Sequence, residues 1–172
     1  SDGVELLYGK VMEYIDNIDE NTKEYTIFDL FSGTGTIGQI VSKKAKKVYG
    51  IEIVEEAVRK ANENARLNNI DNAEFIAGDV FEKLDELEEK EIRPDIIVLD
   101  PPRPGVGKKT IMKLLKYDVS NIIYVSCNLK TLVQDLVTFQ ENGYEVVKVC
   151  PVDMFPVTPH MEVVSMLRKV RD

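Results

Sequence analysis

Histidine occurs once and cysteine twice in this chain of 172 residues. Cys127, Cys150 and His160 form no CxxC pair and no cluster with metal-ligand spacing, so a metal site and a disulfide framework are not expected. A bridge between the two cysteines stays open on sequence alone, but nothing points to an oxidising compartment. No apolar run approaches the roughly 20 residues of a membrane-spanning helix, and there is no signal-peptide pattern. The cytoplasm is the expected location, without a membrane partner. Positive charge is also short: 22 Lys and Arg against 30 Asp and Glu leave a net charge of −8. That excludes a large basic nucleic-acid footprint but not one enclosed nucleotide pocket, which needs few cations. Any extended grip on a nucleic acid is expected to be supplied elsewhere.

What is present is an even alternation of helical and strand patterns, without repeats or low-complexity tracts. The spacing predicts helices over 4–15, 36–43, 55–67, 80–89, 109–115 and 129–141. Strands are predicted over 25–30, 47–51, 73–77, 95–99 and 121–125. Two further strands, 144–149 and 162–169, follow one another directly, joined by a loop with Pro151, Pro156 and Pro159. Strands separated by helices make a parallel, doubly wound α/β sheet, and the last pair adds an antiparallel hairpin. This mostly parallel seven-stranded layout resembles the Rossmann-like methyltransferase fold, and the pattern alone leaves a plain dinucleotide-binding fold as competitor. Residues 1–172 read as one domain with residues 1–18 as its leading helix, and the abrupt helical start leads us to expect a piece of a longer protein. The acidic run EKLDELEEKE reads as a solvated helix face.

In DLFSGTGTIG, Gly33, Gly35 and Gly38 satisfy G-x-G-x-x-G between a strand and a helix. Such glycines permit a tight turn and close approach of backbone to a ligand. The motif alone is weak, and Asp29, four residues before Gly33, discriminates. A carboxylate here repels a pyrophosphate but suits the cationic amino end of S-adenosylmethionine. Glu52 closes the next strand and can accept from two ribose hydroxyls; Asp79 follows the third strand, where it could meet an adenine amino group. Each has a plain reading too: a loop carboxylate, a solvent-facing strand end and the N-cap of the next helix. All three falling at successive strand ends on one sheet edge favours cofactor binding, with S-adenosylmethionine preferred to NAD.

A second group lies at the following strand ends. Asp100 ends the buried strand DIIVL and opens Asp-Pro-Pro-Arg, whose prolines hold Asp100 and Arg103 in a rigid turn. A fixed carboxylate there can hydrogen-bond the edge of a base. Cys127, in YVSCNLKTL, sits between a strand and a helix. It is either a small core residue or a nucleophile whose pKa the helix N-terminus lowers. Glu162 opens the last strand in HMEVV, and His160 either contacts substrate or supports the Glu162 loop. Cys150 reads as a packing residue.

Taken in order, DLFSGTGTIG, GIE, LDPPRPGVG, YVSCNLKTLVQDL and MFPVTPHMEVVSMLRK resemble the RNA uracil-C5 methyltransferases, which form 5-methyluridine in ribosomal or transfer RNA. The resemblance covers nearly the whole chain, as their C-terminal catalytic domain. It implies that Cys127 is the nucleophile and Glu162 the base, and that Asp100 holds the target uracil or stabilises its intermediate beside the cofactor. It implies that Phe31 and Glu52 contact S-adenosyl-L-methionine; with Asp29, Gly33, Gly35, Asp79 and Asp100 they form the expected cofactor set, and Arg103, Asn128 and His160 are the expected substrate-facing residues. The chemistry needs these residue types, because C5 of uracil is too weak a nucleophile to take a methyl group unaided. A thiolate adding to C6 makes C5 nucleophilic, and a carboxylate then removes the C5 proton so that the thiol can leave. The target nucleotide must be unpaired or flipped out. RNA is the expected partner, ribosomal before transfer, and a monomer the expected state.

Such relatives carry upstream RNA-binding domains, commonly a TRAM domain, some an iron–sulfur cluster, and a glutamine-containing cofactor segment ahead of the first helix. This chain contains none of these, and the missing basic surface is expected to lie upstream. Two rival readings are an amino-group methyltransferase with an inert Cys127 and a non-catalytic cofactor-binding domain.

Overall fold

The computed structural model describes residues 2–18, 24–155 and 160–170. Helix α1 (Asp2–Asp16) is followed by β1 (Tyr25–Leu30), α2 (Thr36–Val41), β2 (Ala45–Glu52), α3 (Glu55–Leu67), β3 (Ala73–Ala77) and α4 (Val80–Glu89). Then come β4 (Ile96–Leu99), α5 (Lys108–Leu114), β5 (Asn121–Ser126), α6 (Leu129–Glu141), β6 (Tyr144–Asp153) and β7 (Met161–Lys169). The strands form one seven-stranded sheet in the order β3-β2-β1-β4-β5-β7-β6. Strands β1 to β5 pair in parallel, while β7 lies antiparallel to both β5 and β6. The expected mixed α/β sheet is therefore present, and its terminal hairpin joins the sheet through its second strand.

Central strands buried on both faces must be apolar throughout, and all four residues of β4 are fully buried. Alternate side chains feed two layers. Ile27, Val48, Ile96, Val98 and Ile123 pack with α1 and α2, whereas Phe28, Leu30, Ile97, Leu99 and Tyr124 pack with α4, α5 and α6. Helix α1 lays Leu7, Val11, Tyr14 and Ile15 on the β6–β7 end of the sheet, against Val152, Met154, Val164 and Met166.

Some boundaries differ from the sequence expectation. β6 continues through Pro151 to Asp153 instead of ending at Val149. It is an edge strand, where a proline's missing N–H is tolerated because one side of the backbone has no ladder partner. α2 tightens into a 3-10 turn over Ser42–Lys44, and α5 does the same over Leu115–Tyr117. Pro156 and Pro159 lie outside the described residues.

Candidate active site

Sheet order reverses between β1 and β4, so the loops leaving these two strands part and open a crevice at their carboxyl ends. Phe31, the first residue after β1, has φ +64°, a left-handed conformation unusual for a bulky side chain. Ser32 N–H then donates to the Ile51 carbonyl at 2.9 Å. The chain is thereby turned so that Gly33 N–H donates to Glu52 Oε1 at 3.0 Å, while Glu52 Oε2 accepts from Val54 N–H at 3.0 Å. Glu52 is thus not an idle strand end: it pins the glycine loop to β2. Tyr8, Phe31, Ser32, Gly33, Thr36 and Asp100 line a cleft of about 180 Å³ at this loop. A larger hollow of about 480 Å³ between α2 and α3 is lined by Gln39, Asn64 and Asn68 among others and contains neither a carboxylate nor a thiol. Chemistry, not size, locates the site.

Beneath the loop, Asp29 is fully buried. Its two carboxylate oxygens and the Ser32 hydroxyl have no well-aligned hydrogen-bond partner among the described residues. Burial, then the neighbouring Asp100 and, least, Glu52 push the Asp29 pKa up to about 8; the nearby Gly38 N–H opposes this without reversing it. A Cβ at Gly38 would come within 2.8 Å of Asp29 Oδ2, so only glycine lets α2 pass so close to the carboxylate. An orphaned buried carboxylate beneath a glycine loop fits a cationic ligand group, and the amino-acid end of S-adenosylmethionine is one. Asp79 lies exposed at the expected strand end, where its Oδ1 caps α4 by accepting from Glu82 N–H at 3.1 Å. Its contacts are those of the plain capping reading.

On the other side of the crevice, Asp100 N–H donates to the Leu30 carbonyl at 3.2 Å. Burial and then Glu162 push the Asp100 pKa up to about 7. Strand β7 pairs Val163 with Ser126, and one step further along the same line stand Glu162 and Cys127. Glu162 is half-buried, its Oε2 has no partner among the described residues, and burial raises its carboxyl pKa. Cys127 is a half-buried free thiol. Burial, then Glu162, raise its pKa and outweigh the lowering by its own backbone and by Arg103. The net shift is therefore upward, opposite to the direction expected from the helix terminus. Two N–H groups at this terminus are engaged elsewhere: Asn128 N–H donates to Ser126 Oγ at 3.1 Å, and Lys130 N–H donates to the capping Asn128 Oδ1 at 3.1 Å.

Two supporting residues escaped the sequence reading. Asp135, only 5% exposed, accepts from Val106 N–H at 2.7 Å, from Gly107 N–H at 3.2 Å and from the Tyr124 hydroxyl. It holds the proline loop after Asp100 in place, and Gly105, at φ +81°, has no room for a Cβ, which would meet Asp135 Oδ2 at 2.7 Å. The signal was a carboxylate inside the apolar stripe of Leu132, Leu136 and Phe139. Tyr8 reaches the crevice from α1 and lines the cleft beside Thr36; burial, then Asp100, raise its phenol pKa. Nothing in its spacing announced this. Arg103 is exposed, with its carbonyl accepting from Asn128 Nδ2 at 3.2 Å and Thr131 Oγ1 at 2.8 Å. His160 is exposed, and its carbonyl accepts from Met154 N–H at 3.3 Å. Cys150 packs against the α1 layer as a free thiol, so no bridge joins it to Cys127.

The model of the family described as tRNA (Uracil-5-)-methyltransferase matches residues 6–170. The chain belongs to this family. An RNA methyltransferase of Clostridium tetani, named as uncharacterized, is 54% identical over 169 residues, covering 98% of this chain and 36% of that protein. One of Enterococcus faecalis, named likewise, is 44% identical over 168 residues, with 98% and 36% covered. The crystal structure of the Pyrococcus abyssi tRNA (uracil-54, C5)-methyltransferase in complex with S-adenosyl-L-homocysteine is 31% identical, with a TM-score of 0.75 over 96% of this chain and 38% of that one. The chain thus spans about a third of the length of these relatives. As a tRNA (Uracil-5-)-methyltransferase family member, it presents two sets of groups on one sheet edge. The Asp29, Gly33 and Glu52 cradle lies on one side, and Asp100, Cys127 and Glu162 lie on the other.

Proposed function

We propose that this chain is the catalytic part of an S-adenosylmethionine-dependent RNA methyltransferase that forms 5-methyluridine. The observation that carries the reading is the convergence of Cys127, Glu162 and Asp100 beside the Asp29 and Glu52 cradle. S-adenosylmethionine, when bound, supplies the electrophilic methyl group that an activated uracil C5 takes. Asp29 would hold its cationic amino-acid end and Glu52 its ribose, with Phe31 and Tyr8 as walls.

Cys127 provides the activation. Its thiol gives up its proton to solvent, its sulfur bonds to C6, and the ring electrons move onto C5 and the C4 oxygen. Asp100, whose pKa of about 7 keeps a large share of it protonated near neutrality, can donate a hydrogen bond to a ring oxygen as that charge develops. Glu162 then takes the proton from the methylated C5. The freed electron pair restores the C5–C6 double bond and expels the Cys127 sulfur, which regains a proton. Because the thiol rests neutral, activation is coupled to substrate arrival. Ribosomal RNA is the substrate put first and transfer RNA second.

The test is a denaturing intact-mass spectrum after mixing the protein, S-adenosylmethionine and ribosomal or transfer RNA transcripts containing 5-fluorouridine. Fluorine cannot leave C5 as a proton, so a covalent protein–RNA adduct should accumulate and should vanish in Cys127→Ala. On natural RNA, Cys127→Ala should lose roughly 10⁴-fold or more in turnover. Bound RNA with no adduct, or a Cys127→Ala protein that still turns over, would overturn the reading in favour of an amino-group enzyme.

A further inference from the structure

The catalytic edge is divided by charge. Along β2 and β3 it carries Glu52, Glu55, Glu56, Asp79 and Glu82. Of the cations nearby, Arg59 is engaged by Glu56 and Glu63 and Lys83 by Glu86, while Lys60 lies close enough to Glu56 to stabilise its charge. Along β4 and β5 the sign reverses. No carboxylate occurs from Pro101 to Tyr117, and Arg103, Lys108 and Lys109 stand exposed on the loop after β4 and the first turn of α5. Lys130 stands exposed in the first turn of α6. Both helices follow parallel strands, so their first turns share the edge that holds Asp100 and Cys127.

Among the described residues none of these four side chains makes an ion pair, whereas Lys113 further along α5 is paired with Asp85. Lys109 rests on the Phe81 ring, its Nζ 4.2 Å from the centroid, and keeps its charge. The hydrogen bonds from Asn128 and Thr131 to the Arg103 carbonyl tie the two groups into one ridge. Four unneutralised cations gathered at one place on a chain of net charge −8 repel one another, and an anionic partner relieves that repulsion.

Resting on the function proposed above, we propose that Arg103, Lys108, Lys109 and Lys130 form a track for the phosphates of the substrate RNA. The strand lies across the α5 and α6 ends, flanking the uridine that enters over Cys127, and is turned away from the acidic β2–β3 side. Contacts of this kind position the nucleic acid without reading its sequence.

The track is tested by fluorescence anisotropy of a labelled single-stranded RNA oligonucleotide titrated with this chain at a series of salt concentrations. Replacing the three lysines together (K108Q/K109Q/K130Q) should lower the slope of log affinity against log salt by about 2, near 0.7 per cation. K108Q/K130Q, which leaves the Lys109–Phe81 contact intact, should lower it by about 1.4. K43Q/K46Q, at exposed lysines on the opposite edge, should leave it unchanged. Unchanged slopes in the ridge variants, an equal loss in K43Q/K46Q, or no RNA binding by the unaltered chain at low salt would each overturn the proposal. A Cys127 adduct with 5-fluorouridine RNA that forms while the ridge variants keep their slope discards the track and retains the uracil reaction. Bound RNA with no adduct in the unaltered protein discards the reaction on which the track rests.

Discussion

The two sides of the crevice are built from the same residue types and treat them oppositely. On the β2–β3 side the carboxylates are engaged by backbone: Glu52 takes one N–H on each oxygen, which leaves a lone pair on each for a ligand hydroxyl, and Asp79 caps a helix. On the β4–β5–β7 side, Asp100 and Glu162 are held in surroundings that disfavour their charge, and the Cys127 thiol rests neutral between them. A satisfied carboxylate fixes a shape. A dissatisfied one stores free energy that a substrate can release. Asp29, on the border, belongs to the second kind until a cation arrives.

The contrast breaks most visibly at Glu162. Glu162→Gln should still form the bond from Cys127 to the ring but should fail to take the C5 proton. Turnover should fall by about 10²–10⁴-fold. A covalent complex with natural RNA should accumulate on a denaturing gel; slow turnover without it would show that Glu162 acts earlier. Next comes Asp135→Ala, which leaves two backbone N–H groups and the Tyr124 hydroxyl without their acceptor. It should cost about 3 kcal/mol, read as a lower denaturant midpoint.

Asp29 gives a third, pH-dependent expectation. In the unfolded chain its proton leaves near 3.8, whereas the free folded protein holds it to about 8. The folded state therefore binds more protons in that window, and stability falls as pH rises through it, with Asp100 contributing the same sign up to about pH 7. Asp29→Asn should remove Asp29's share of this fall, making it about half as steep between about pH 4 and 7 and abolishing it between about pH 7 and 8. Above that range it should be roughly 1–3 kcal/mol more stable than the unaltered protein, with weaker cofactor binding. Thermal melts across pH measure both proteins. The smallest effect is expected from Tyr8→Phe, which removes one hydroxyl from the cleft wall, a group able to make a hydrogen bond worth about 1 kcal/mol to the cofactor. It should raise KM for S-adenosylmethionine roughly fivefold and leave kcat unchanged, because Tyr8 lines the cofactor side and touches no reacting atom in the mechanism proposed above.

Strand ends were the most legible feature. A buried apolar run has only one place to stop, so Asp29, Glu52, Asp100 and Cys127 could be assigned to one edge from sequence, and the structure puts them there. The helices over 55–67, 80–89 and 129–141 were equally plain, since apolar residues recur at helical spacing along each of them. What sequence did not disclose depends on distances across the chain. Asp135 meets Val106 and Gly107 only because α6 folds back over the β4–α5 loop, and Tyr8 meets Thr36 only because α1 packs beside α2. The direction of the Cys127 shift was missed for a similar reason. Proximity to a helix start is visible in sequence, but burial against a carboxylate from another strand is not.

The reversed direction of β7 has a consequence for how the site is gauged. A purely parallel sheet offers its working edge strand endings only; β7 adds a strand beginning, next to the ending of β5. Ser126 and Val163, the chain neighbours of Cys127 and Glu162, are therefore spaced by the interval between neighbouring strands, about 4.8 Å between backbones. That interval is dictated by peptide hydrogen bonding, so side-chain replacement elsewhere cannot readily widen or narrow it. Two groups set on such a ruler can converge on adjacent carbons of one flat ring, one bonding to C6 and the other unloading C5, with no backbone movement between the first step and the last.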